Sequence, residues 1–260
     1  MKVYLASALL ASTLALSSLN TASAATVVDT ELSLLIDVSG SVNTTEFNLQ
    51  RQGYVDAFRD TAIQNLITDT DGGTRLGNIA VNVVYWASSA VEVLPWTLIN
   101  SAATANSFAD TLNGLTSRAG TGNSTAPGTA INYALNSLNA NDFDGNRVVI
   151  DVSGDGSENT GANTAAARDA AIAGGVDRIN GIAILDGYPS LETWYNDNIK
   201  GGTNGFVLTA NDFNDFGNAI RKKLGYEIAN STPAIPLPAA IWLLGGAVGG
   251  LGLMRRRSRG

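Results

Sequence analysis

The chain has 260 residues, 45% of them apolar, with 28 glycines and a formal net charge of −7. It contains no histidine and no cysteine, which excludes disulfides, thiol nucleophiles, Ser-His-Asp relays and any imidazole- or thiolate-held metal. What remains suits one sizeable α/β domain, in which any metal must be held by oxygen, favouring Mg²⁺, Mn²⁺ or Ca²⁺.

In chain order, Lys2 precedes an apolar run to about Leu16, and Ala22-Ser23-Ala24 fits a small-residue cleavage site, so residues 1–24 read as a secretory signal peptide. A strand is expected over Leu32–Val38. A helix follows from Thr44 to about Ile67, with Thr44 or Thr45 as cap, broken by Asp69-Thr70-Asp71-Gly72-Gly73. Ile79–Trp86 is a second strand, and Ala90–Leu94 a short third strand. The tight gap at Ser88-Ser89 allows only a hairpin, which makes the third strand antiparallel and places it at an edge.

Helices are expected over Thr104–Leu115 and Ala130–Leu138, then a fourth strand over Arg147–Val152. An Ala-rich helix, Ala162–Ala173, closes at Gly174-Gly175. A fifth strand (Arg178–Leu185), a helix (Leu191–Lys200), a sixth strand (Gly205–Leu208) and a last helix (Asp212–Leu224) complete the pattern. The run Arg221-Lys222-Lys223 suits the C-terminus of that last helix. This alternation predicts a doubly wound, Rossmann-like, mostly parallel sheet with helices on both faces. The domain spans residues 25–228, with a linker over 229–234.

Leu237–Met254 carries no charge and is followed by Arg255-Arg256-Arg257-Ser258-Arg259, which reads as a membrane-spanning segment with a cytoplasmic arginine tail. Without Lys2 and the four tail arginines, 11 basic residues face 23 acidic ones. That balance repels nucleic acid and anionic lipid, leaving no nucleic-acid partner and membrane contact only through the C-terminal segment. Ile235-Pro236-Leu237-Pro238-Ala239, the apolar span and the arginine run together resemble carboxy-terminal sorting signals of the PEP-CTERM type, in the V-P-L-P-A variant, with Ile235 as the one departure. That resemblance implies a Gram-negative bacterium, an exosortase that processes the tail over 235–260, and an extracellular or cell-surface product, or otherwise a domain anchored in the inner membrane and facing the periplasm.

The most informative stretch is Asp37-Val38-Ser39-Gly40-Ser41, directly after the first strand. One carboxylate and two hydroxyls spaced by two can turn three hard oxygens toward one cation. In open α/β sheets ligands collect beyond the carboxyl ends of the strands where strand order reverses. Asp155, in Ser153-Gly154-Asp155-Gly156, follows the fourth strand, and the loop Gly122–Thr129 can add a threonine hydroxyl. A plainer alternative has Ser39 and Ser41 capping the next helix and Asp37 bracing the turn. Asp151, in the echo Asp151-Val152-Ser153-Gly154, reads as a strand residue beneath the site.

This set resembles the metal-ion-dependent adhesion site of von Willebrand factor type A domains, whose pattern is D-x-S-x-S, then Thr, then Asp. Asp37, Ser39 and Ser41 match the first element in full, Thr129 in Pro127-Gly128-Thr129-Ala130-Ile131 the second, and Asp155 the third. Thr125 and Thr121 lie in the same loop. The surroundings of Asp155 are similar to an uncharacterised, secreted bacterial branch of these domains. The resemblance covers about residues 30–225. It implies six strands ordered 3-2-1-4-5-6 and a divalent cation, Mg²⁺ first and Mn²⁺ or Ca²⁺ admissible, that binds an acidic group of a partner protein or matrix polymer.

The function expected is therefore non-enzymatic adhesion, in an extracellular matrix or biofilm setting. The alternative is a metal-assisted hydrolase using the same oxygens, for which no separate general base is evident. The Asp69–Gly72 and Asp142–Asn146 stretches hint at calcium loops without EF-hand spacing, and Trp86, Trp96 and Trp194 read as packing residues.

Overall fold

The structure, a computed structural model, describes residues 24–118 and 121–230. A short strand β1 (Thr26–Val28) leads into β2 (Thr30–Asp37), followed by α1 (Thr44–Arg59), α2 (Thr61–Thr68), β3 (Ile79–Trp86), β4 (Ala90–Ile99), α3 (Ala102–Asn113) and α4 (Pro127–Leu138). Then come β5 (Phe143–Gly145), β6 (Val148–Gly154), α5 (Thr164–Ala173), β7 (Arg178–Ile184), α6 (Ser190–Asn198), β8 (Gly201–Gly202), β9 (Val207–Ala210) and α7 (Phe216–Ile228).

The main sheet runs β4-β3-β2-β6-β7-β9, with β4 antiparallel to β3 and the other neighbours parallel. Taking its six long strands in chain order, this is the expected 3-2-1-4-5-6. The two-residue β8 adds antiparallel to β7, and β1 pairs with β5 in a small separate ribbon. All eight residues of β2 and all eight of β3 are buried, because helices cover both faces of a parallel sheet.

The pleat divides the core in two. Leu32, Leu34, Ile36, Val81, Val83 and Val149 pack toward α1, α3 and α7, while Leu35, Val84, Ile150 and Val152 pack toward α4, α5 and α6. On β6 this alternation points Asp151 and Ser153 to the α1/α7 side.

Several boundaries differ from the sequence reading. The first long helix is two, because Asp60 ends α1 and its side chain accepts from Ala62 and Ile63 N–H to start α2. Strand β4 continues to Ile99 through Pro95, whose lack of an N–H is tolerated on an edge strand. Helix α7 starts at Phe216, after a turn in which Asp212 accepts from Asn214 and Asp215 N–H, and runs on to Ile228. Lys223 therefore lies inside the helix. The two hinted calcium loops are a 3₁₀ turn at Asp71–Gly73 and strand β5.

The membrane expectations are corrected. Among the described residues no helix is long and apolar enough to cross a membrane, so neither the transmembrane helix nor the inner-membrane location is carried forward. The segment 237–254, the sorting motif and residues 1–23 of the leader lie outside the described residues.

Candidate metal centre

Three loops meet at the carboxyl end of the sheet. The first, residues 38–43, leaves β2 while Val38 N–H still donates to Trp86 O at 2.9 Å, and α1 supports it through Gln50 Nε2, which donates to Asp37 O at 3.0 Å. Arg118 donates to Val42 O and so pins the same loop. The second loop, residues 121–126, is tied down by Gly40 N–H to Asn123 O at 2.8 Å and by Ser124 N–H to Ser88 Oγ at 2.9 Å. The third, residues 155–163, is joined to the second by Asn159: its Oδ1 accepts from Thr125 N–H at 2.8 Å and its own N–H donates to Thr125 O at 3.0 Å.

Within this frame four expected residues form a hydrogen-bonded run. Asp37 is fully buried, and its Oδ1 accepts from Ser39 N–H at 2.8 Å. Ser39 Oγ lies 3.2 Å from Ser41 Oγ, and Ser41 Oγ donates to Asp155 Oδ1 at 2.7 Å. The serines do not cap α1. Asn43 does, accepting from Thr45 N–H at 2.8 Å and Glu46 N–H at 3.1 Å, while Glu46 Oε2 accepts from Asn43 N–H in a capping box.

Asp37 Oδ2 is buried without a hydrogen-bond partner, an arrangement that costs free energy unless something compensates it. It presses on Gly154: a Cβ there would lie 2.6 Å from Asp37 Oδ2 and 2.9 Å from the Tyr195 hydroxyl. Glycine is thus required by close approach. The Tyr195 hydroxyl, on α6, is likewise buried and unpartnered.

Burial pushes the Asp37 carboxyl up to about 7, with the Asp155 charge adding to the rise and hydrogen bonds from Ser39 and the Asp155 backbone opposing it. Burial also raises Asp155, and the charges of Glu46 and Asp186 act in the same direction. A site that resists holding two carboxylates in their charged form is suited to a cation that neutralises them. Two carboxylates, one of them with a buried oxygen lacking a hydrogen-bond partner, and neutral hydroxyls fit a hard divalent ion. Among the described residues no three His, Cys, Asp or Glu side chains cluster as a metal group; beside the two carboxylates, the oxygens gathered here are hydroxyls.

The threonines separate. Thr129 Oγ1 accepts from Ala162 N–H at 3.1 Å and lies against Gly161, at the start of α4. Thr125 is buried beside the third loop, where a Cβ at Gly156 would lie 3.3 Å from its Cγ2 and 3.5 Å from its Oγ1. Spacing alone does not distinguish them.

Beneath the site, Lys223 Nζ lies 2.5 Å from Asp151 Oδ2 and 2.8 Å from Glu227 Oε1, with all three side chains fully buried, and Asn180 Nδ2 donates to the same Glu227 oxygen at 2.8 Å. Burial raises Asp151 and the Lys223 ammonium opposes the rise. The expected place of Asp151 beneath the site holds, but its cationic partner was missed: Lys223 looked like a helix-end charge. Tyr195 was missed too, and no local signal marks it.

A family model described as "Protein of unknown function (DUF1194)" matches residues 27–232. The chain belongs to this family. A search of curated proteins returns no match. Among solved structures, this DUF1194 chain is similar to proximal thread matrix protein 1 from the mussel byssus (crystal form 2), with a TM-score of 0.59 and 17% identity over 78% of this chain and 48% of that one. The same mussel protein with a zinc-occupied MIDAS motif gives a TM-score of 0.54 and 17% identity over 79% and 49%. A von Willebrand factor type A protein from Catenulispora acidiphila gives 0.50 and 16% over 77% and 43%. The DUF1194 chain spans about half the length of these structures. Its fold is that of a von Willebrand factor A-type domain.

Proposed function

We propose that this DUF1194 domain binds a partner macromolecule through a divalent cation held by Asp37, Ser39, Ser41 and Asp155, with a loop threonine completing the set. The observation that carries this reading is the hydrogen-bonded run Asp37–Ser39–Ser41–Asp155, linked first through Ser39 N–H and then through the two hydroxyls, with its serines released from capping by Asn43. Thr125, packed against Gly156 in the loop next to Asp155 and accepting only at 3.5 Å from Asn159 Nδ2, takes the loop-ligand place in preference to Thr129, whose Oγ1 accepts from Ala162 N–H at 3.1 Å. The bound ion would supply an electrophilic vacancy for a partner's carboxylate. The chain's own residues then do the positioning: Gln50 and Arg118 hold the first loop, Asn159 locks the second to the third, and Gly154 lets Asp37 sit close beneath.

The mussel structure with a zinc-occupied MIDAS motif supports the choice of chemistry by likeness of fold. A non-enzymatic role is supported by the lack of any histidine or cysteine, and two acids beside the loops serve the structure: Glu46 caps α1, and Glu158 accepts from Thr164 N–H and Oγ1. Calorimetric titration with Mg²⁺ and Mn²⁺ tests the reading. One ion per chain is expected for the wild type and none for Asp37→Ala; stoichiometric binding retained by the variant overturns it.

A further inference from the structure

We propose that the cleft between Tyr188 and Trp194 is continuous with the candidate metal centre and receives a bulky apolar side chain from the same peptide segment whose carboxylate reaches the cation. This rests on the function proposed above and specifies the chemistry of its partner.

The cleft has a volume of about 400 Å³, and Asp155 and Gly156, which belong to the metal-site loop, form part of its lining. That size lies in the range of ordinary ligand pockets. Its other lining comes from the start of α6. Leu191 is 5% exposed, and Trp194 is held edge-on against the buried Tyr195, with ring centroids 5.7 Å apart.

Tyr188 is 70% exposed, the most exposed of the four large apolar side chains that stand out to solvent among the described residues. Its backbone is held in place. Asp186 and Gly187 take consecutive left-handed conformations (φ 38° and 88°), after which Tyr188 N–H donates to Leu185 O at 2.6 Å and Tyr188 O accepts from Leu191 N–H at 3.0 Å. A strained, hydrogen-bonded turn that carries an exposed aromatic ring beside an open, apolar-floored cleft offers a docking anchor.

Charge selects the occupant. A divalent ion offsets Asp37 and Asp155, and the chain without Lys2 and its tail arginines keeps 11 basic against 23 acidic residues. A polyanion such as an acidic polysaccharide is repelled. A peptide with one carboxylate, a neighbouring bulky apolar residue and lysine or arginine flanks is complementary to both halves of the site.

The test uses the full chain and labelled peptides with one central aspartate and lysine flanks. Phenylalanine is placed in turn at each position near the aspartate, and serine stands in its place in a matched set. In Mg²⁺, fluorescence polarisation is expected to show at least one phenylalanine peptide binding about tenfold tighter than its serine counterpart. Tyr188→Ala removes that preference while leaving calorimetric Mg²⁺ affinity unchanged, and chelation abolishes peptide binding altogether. The cleft proposal alone is overturned if Mg²⁺ binds but no phenylalanine placement gains, if the gain survives Tyr188→Ala, or if tetragalacturonate binds in Mg²⁺ where the peptides do not. Failure of Mg²⁺ to bind the wild type overturns the metal reading and this inference together.

Discussion

Ser41 Oγ donates to Asp155 Oδ1 at 2.7 Å across 114 residues of sequence. That bond closes the rim of the site between the loop after β2 and the loop after β6, and neither residue caps a helix to earn its place. Removing the hydroxyl takes away one oxygen of the proposed donor set without disturbing the core, since Ser41 is exposed. Ser41→Ala is expected to weaken Mg²⁺ binding by about tenfold or more, with metal-free stability within about 0.5 kcal/mol of wild type. Calorimetric titration and urea denaturation measure the two effects separately.

Gly154→Ala removes no ligand, yet its Cβ would lie 2.6 Å from Asp37 Oδ2 and 2.9 Å from the Tyr195 hydroxyl. We expect both a loss of stability of about 1–3 kcal/mol from overpacking and a marked loss of Mg²⁺ affinity as Asp37 is displaced. Unchanged metal binding in a destabilised variant would show that Asp37 takes no part in the site.

The pH dependence of the metal-free domain follows from Asp37, raised from 3.8 to about 7 by burial and the Asp155 charge. The folded state binds this proton more tightly than the unfolded chain, so the stabilisation is complete below about pH 4 and is lost as pH rises through about 7. About three pH units correspond to roughly 4 kcal/mol. In chelator, wild type should lose on the order of that much stability relative to Asp37→Asn between pH 4 and 8, and Mg²⁺ at pH 8 should restore it. Parallel pH profiles for the two proteins would refute the assignment.

Lys223 holds two buried carboxylates, Asp151 at 2.5 Å and Glu227 at 2.8 Å. Lys223→Met leaves both without their cation and is expected to cost about 3–5 kcal/mol in urea denaturation. Asp151→Asn combined with Lys223→Met should recover part of that loss, because one stranded charge is removed. Additive losses would instead mean that the pair is not coupled.

The strands were legible because β2 and β3 are largely apolar runs buried on both faces, and the Asp-x-Ser-x-Ser turn at the end of β2 marked the loop of the candidate site. The hairpin spacing at Ser88-Ser89 placed β4 on the edge. Other features depend on contacts that no local pattern encodes. The partner of Lys223 lies 72 residues earlier, on β6, so a run of three cations read as a helix end. Asp60 serves two helices at once, which periodicity merges into one. Thr125 and Thr129 meet opposite ends of the same third loop, Gly156 and Asn159 for the one and Gly161 and Ala162 for the other, and that placement is set by a distant segment.

The most direct test of a cation joining the loops after β2 and β6 is anomalous diffraction from crystals grown with Mn²⁺. The account predicts one strong peak between Asp37 and Asp155, within coordination distance of Ser39 Oγ and Ser41 Oγ. A manganese peak elsewhere on the domain, or none at this rim at saturating Mn²⁺, would contradict it.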